Sequence, residues 1–132
     1  MSVIRRFEDI EGWKKARELT RRVFALTTDR GFGQWAFLRE QLCSASVSIM
    51  SNIAEGFERD GNREFRQFLS NAKGSSGEVR SLLYPTRDAK LVSEPTFAEL
   101  YALSEETGKT IGGFLRYLRA SPYRGLKYGS DP

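Results

Sequence analysis

Apolar and small residues recur every three or four positions through four long segments of this chain, and no period-2 alternation survives beside them. That spacing places side chains on one stripe of an α-helix and leaves no material for a half-buried strand. The first segment covers residues 9–28, with Ile10, Trp13, Ala16, Thr20, Val23 and Leu26 on the stripe and Asp9 as the expected N-cap. Two glycines in Asp29-Arg30-Gly31-Phe32-Gly33 then break it. The second covers residues 34–58, where Trp35, Leu38, Leu42, Ala45, Ile49, Asn52 and Gly56 keep a strict 3-4 spacing around a centre of small side chains.

The third segment contains Gly74-Ser75-Ser76-Gly77, which has the composition of a linker, and Pro85, which ordinarily stops a helix. Phe65, Phe68, Ala72, Ser75, Val79, Leu82, Thr86 and Ala89 nevertheless hold one 3-4 register through both features. A linker has no reason to preserve phase, so the spacing predicts one helix over residues 62–90, bent near Pro85. Ser93 is the expected N-cap of a fourth helix that runs to Ala120, with Pro95 in its first turn and Phe97, Leu100, Ser104, Thr107, Ile111, Phe114 and Leu118 on its seam. Four helices joined by short turns predict an all-α fold, an antiparallel up-down-up-down four-helix bundle over residues 1–120. Residues 121–132 are expected to form a short flexible C-terminal tail.

Composition narrows the chemistry. Within 132 residues there is room for one domain, and the chain has no histidine and a single cysteine, Cys43. Histidine-based acid–base catalysis, Ser-His-Asp and Cys-His nucleophiles, and the Glu-x-x-His metal motif of di-iron bundles all need residues absent here. No catalytic residue, metal or cofactor is therefore expected. An intrachain disulfide is impossible, no apolar run is long enough for a membrane span, and the N-terminus turns acidic at Glu8-Asp9, so a cytoplasmic protein is expected.

The formal net charge of +4 conceals an uneven distribution. Residues 1–30 carry +3, 31–58 carry −2, 59–92 carry +3, 93–120 carry −1 and the tail +1. Arg66, Lys73, Arg80 and Arg87 lie seven residues apart on the third helix. With Phe65 and Phe68 at seam positions, these four fall on one outward stripe, about 10 Å from one to the next. Arg21 and Arg22 form a second, looser patch on the first helix. Such a surface binds phosphates, or it is a solvated face paired with nearby acids. Asn52, Glu55 and Gly56 form a separate polar motif in which Asn52 and Gly56 occupy seam positions that leucine would fill more fully. Either they sustain a buried hydrogen-bond network or they touch a polar ligand.

The same residues carry a resemblance. Phe7-Glu8-Asp9-Ile10, Trp13 and Lys15-Ala16 resemble the opening of the small bacterial four-helix-bundle family of 23S rRNA-intervening sequence proteins. Ser51-Asn52-Ile53-Ala54-Glu55-Gly56-Phe57 resembles its central signature, and Glu64-Phe65, Phe68-Leu69, Ala72-Lys73-Gly74-Ser75 and Glu78 its third-helix motif. Cys43 and Ser44 stand where family members usually have two arginines, and Gly61 where they have a serine cap. The resemblance implies a homopentamer without enzymatic activity or cofactor. It also implies kinship with accessory proteins of diversity-generating retroelements, which bind a reverse transcriptase and nucleic acid through basic surfaces. The expected function is a non-enzymatic, oligomeric adaptor whose basic faces on helices 1 and 3 bind RNA or DNA, or a nucleic-acid enzyme. A purely structural homo-oligomer is the alternative.

Overall fold

The structure, a computed structural model, describes residues 3–121. The tail expected from residue 121 onward therefore lies, beyond Ser121, outside the described residues. Four α-helices make up the fold: α1, Glu11–Thr27; α2, Ala36–Glu58; α3, Asn62–Asp88; and α4, Glu94–Ala120. Short 3-10 segments, Phe7–Asp9 and Arg30–Trp35, precede α1 and α2. The described residues contain no strand.

Each helix packs chiefly on two others, in the closed order α1, α2, α3, α4 and back to α1. Paired contacts fix the directions. Thr20 of α1 donates to the Ser46 carbonyl of α2, and Thr27 lies 3.5 Å from Cys43. Lys15 and Arg22 of α1 meet Glu106 and Glu99 of α4, so numbers rise on one helix as they fall on the other. The Asn62 amide of α3 donates to the Leu118 carbonyl of α4, whereas Tyr84 meets Phe97 at the far end. Neighbouring helices are thus antiparallel, as the short connections require.

One core runs the length of the bundle. Leu19 and Val23 of α1, Leu42, Ile49 and Ile53 of α2, Leu69, Val79 and Leu83 of α3, and Leu100, Ile111 and Leu118 of α4 are fully buried. Phe32 joins them at 0 % exposure. The Asp29-to-Gly33 stretch thus packs the core as part of a 3-10 turn, with Asp29 Oδ1 accepting from the Gly31 amide at 2.7 Å. Among the described residues no helix is long and apolar enough to cross a membrane.

Three local expectations change. Ile10, not Asp9, precedes α1. The Asp9 carboxylate instead turns back to accept from the Arg5 and Arg6 amides at 3.0 and 3.3 Å, and the Arg5 bond above all holds its pKa below the usual carboxylate value. At its C-terminus, α3 stops at Asp88 rather than Lys90. Lys90 takes φ 60, its amide donates to the Arg87 carbonyl, and the Leu91 amide donates to Thr86, which is a Schellman closure with lysine in the place of glycine.

The third change concerns register. The helix is continuous through Gly74, Gly77 and Pro85 as the phase predicts, but its buried stripe is Phe65, Leu69, Ala72, Ser76, Val79, Leu83 and Thr86. Every second member falls one residue later than the expected Phe68, Ser75 and Leu82, which are only half-buried. At about 100° per residue, the buried face is turned by about 50° from the expected one.

Candidate nucleic-acid interface

That rotation repositions the seven-residue stripe. Arg66, Lys73, Arg80 and Arg87 are not on the outward face; they flank the seam on the side of α4, and Arg66, Arg80 and Arg87 are half-buried. Lys73, Arg80, Lys109 and Arg116 line one recess between α3 and α4, of about 180 Å³, with Glu105 as its single acid. A second recess of about 420 Å³ at the α3 N-terminal end has Arg63, Arg66 and Arg119 in its wall. The two recesses lie along the α3–α4 face, four cations and one carboxylate in the first and three cations in the second, and make up its cationic groove.

Small residues let the two helices come close enough to build it. A Cβ on Gly108 would stand 2.7 Å from Ser76 Oγ, so a larger residue there would require the serine hydroxyl to turn away. One turn on, a Cβ on Gly112 would lie 3.5 Å from Lys73 Cε. The Lys73 stem therefore reaches across α4 over bare backbone. None of the seven cations forms an ion pair among the described residues, and Arg66 Nε is enclosed there without a hydrogen-bond acceptor.

The other expected cations are engaged. Arg21 pairs with Glu18 at 3.0 Å along α1, and Arg22 pairs with Glu99 across to α4. Arg87 meets Glu94 at 3.8 Å and lies over the Phe97 ring, 4.2 Å from its centroid, and the Tyr84 ring at 5.5 Å. The structure thus sets Lys73 and Arg80 in one recess and Arg66 in the other, puts Arg87 at the groove's end among aromatic rings, and leaves Arg21 and Arg22 apart. Lys109, Arg116 and Arg119 are additions from α4, a segment whose net −1 hides them. Their signal was present in the sequence, since Lys109 and Arg116 repeat the seven-residue interval of the α3 stripe.

Asn52, Glu55 and Gly56 are held by neighbours. The Asn52 amide donates to the Ser48 carbonyl at 2.8 Å and to Ser48 Oγ at 3.0 Å, and Ser48 meets Ser75 of α3 at 3.0 Å. Glu55 binds Arg59 at 2.8 Å, which raises the arginine's pKa. A Cβ on Gly56 would come 2.5 Å from Phe68 Cβ, so this glycine is what allows α2 to meet α3. Among the described residues no three Cys, Asp or Glu side chains converge in a way that could hold a metal ion.

Comparison with known proteins agrees with the fold. The sequence model described as 23S rRNA-intervening sequence protein matches residues 8–113. A crystal structure of a protein of unknown function from the S23 ribosomal protein family of Bacteroides thetaiotaomicron superposes with a TM-score of 0.71 at 17 % identity, covering 80 % of this chain and 98 % of that one. No protein with a curated description matches.

Proposed function

The chain belongs to the 23S rRNA-intervening sequence protein family, and from that premise we propose that it is a non-enzymatic, homo-oligomeric adaptor that holds nucleic acid in the cationic groove between α3 and α4. One observation carries the reading. The bundle satisfies Arg21, Arg22, Lys15 and Arg59 with carboxylates, yet along the α3–α4 face it sets four cations beside Glu105 and three more in the neighbouring recess, with no ion pair to any of the seven among the described residues. Collecting like charges costs self-repulsion, and a polyphosphate relieves it while releasing its own counterions. Five of the seven are arginines, whose planar donor fork suits phosphate oxygens.

The supporting surface for self-association lies elsewhere. Phe24 of α1 and Phe37 and Val47 of α2 are 47 %, 58 % and 39 % exposed. Exposed side chains of this size suit a helix–helix contact between copies and leave the α3–α4 face open. A homopentamer is the assembly the family resemblance implies. The free thiol of Cys43 fits a reducing compartment, in keeping with a cytoplasmic protein.

Fluorescence anisotropy with labelled RNA and DNA tests the groove. Replacing Arg66, Lys73 and Arg80 by glutamine is expected to weaken binding by about tenfold or more, whereas Arg21→Gln with Arg22→Gln changes it by less than about twofold. Equal losses from the two sets would remove the groove from the interface. An assembly that binds no nucleic acid would instead favour the purely structural oligomer.

A further inference from the structure

At the end of the groove away from Arg66, the cations give way to aromatic rings. Tyr84 of α3 is 44 % exposed and packs edge-on against Phe97 and Tyr101 of α4, with centroids 5.5 and 5.9 Å away. Phe97 and Tyr101 lie 5.8 Å from each other. The cluster continues the groove directly. Arg80 stands one helical turn before Tyr84 on α3, and Glu105 one turn after Tyr101 on α4. Arg87 caps it, lying over the Tyr84 and Phe97 rings. From Arg66 to Tyr84 the face therefore reads as a row of cations about 27 Å long that ends on a tyrosine.

A row of cations alone suits any polyphosphate, so the rings decide the partner. Extending the reading that the groove binds nucleic acid, we infer that its occupant is a single strand, with phosphates along Lys73, Arg80 and Arg116 and an unpaired base against Tyr84. In a duplex the bases are stacked on one another and present only their edges in the grooves. An aromatic ring at the level of the backbone then has no base face to meet. Nor does a recess between two flush helices offer a projecting element for a major groove about 12 Å wide. A single strand satisfies both halves of the surface, because cations follow its backbone while every base carries a face that stacks on an aromatic side chain. Stacking of this kind is tolerant of sequence, and Tyr84 offers no array of donors for base-edge reading. The groove is accordingly expected to discriminate strandedness far more than sequence.

The experiment compares a labelled RNA of about 15 nucleotides with the duplex it forms with its complement, on the wild-type protein and two variants. The single strand is expected to bind at least about tenfold more tightly than the duplex. Tyr84→Leu should weaken single-strand binding by about tenfold and leave duplex binding and the salt dependence unchanged, while Tyr84→Phe keeps wild-type affinity within about twofold. Circular-dichroism melts of all three proteins establish that the variants are folded. A duplex bound as tightly as the single strand, or a folded Tyr84→Leu protein with undiminished affinity, overturns the single-strand inference while salt-sensitive binding leaves the groove itself standing. Failure to bind either RNA overturns both.

Discussion

At the scale of single residues, glycine has opposite meanings at different places in this bundle. Gly56 and Gly108 are contact points where a methyl group would strike Phe68 Cβ at 2.5 Å and Ser76 Oγ at 2.7 Å. The obstacle at Gly56 is an atom fixed to the backbone of α3, so Gly56→Ala must separate α2 from α3 and is expected to cost about 2 kcal/mol. Gly74 has nothing within 4 Å of its would-be Cβ. Gly74→Ala is therefore expected to add about 0.5–1 kcal/mol through helix propensity alone. Urea unfolding of the two variants checks the contrast, and equal effects of either sign would refute it. The sequence distinguishes the two in part. Gly56 occupies a seam position and so advertises a close approach, whereas Gly74 sits in a linker-like stretch and only the unbroken phase around it reveals a helix.

Elements stop and start here through specific backbone closures. Ser93 Oγ accepts from the Thr96 amide at 3.2 Å and caps α4. Ser93→Ala is expected to lower stability by about 1 kcal/mol. Lys90 carries the positive φ that ends α3, so Lys90→Gly is expected to raise stability by about 1 kcal/mol, read as a higher denaturant midpoint at unchanged slope. The Ser93 cap is legible because serine before Glu-Pro has few other uses; the Lys90 closure is not, since lysine gives no hint of a left-handed conformation. Helix number, length and continuity were likewise readable from phase. The facing of α3 was not, for a definite reason. A two-position seam describes a helix with one neighbour, but α3 lies between α2 and α4 and buries a wider arc, with Phe68 and Ser75 toward α2 and Ser76 toward α4. Adding that second neighbour turns an outward row of cations into the wall of a groove, and it brings Lys109 and Arg116 opposite.

On the scale of the whole molecule, exposed phenylalanines stand on α1 and α2 while the unpaired cations stand between α3 and α4. The exposed Phe24 and Phe37 on α1 and α2 are expected to lie between copies, so Phe24→Glu combined with Phe37→Glu should lower the mass measured by light scattering toward that of a single chain. A mass unchanged by the two charges would place the contact elsewhere. The groove was hidden from any sum over the sequence, because its cations come from a segment of net +3 and one of net −1 that only the antiparallel packing of α3 on α4 brings together. Its function as a phosphate-binding surface is tested most directly by the dependence of RNA affinity on salt. If Lys73, Arg80 and Arg116 each neutralise one phosphate, log K is expected to fall against log salt with a slope of about −2 or steeper. Replacing those three by glutamine should then make the slope shallower by about 2. A shallow slope in the wild-type protein, or a steep one that survives the triple replacement, would contradict the assignment of the groove.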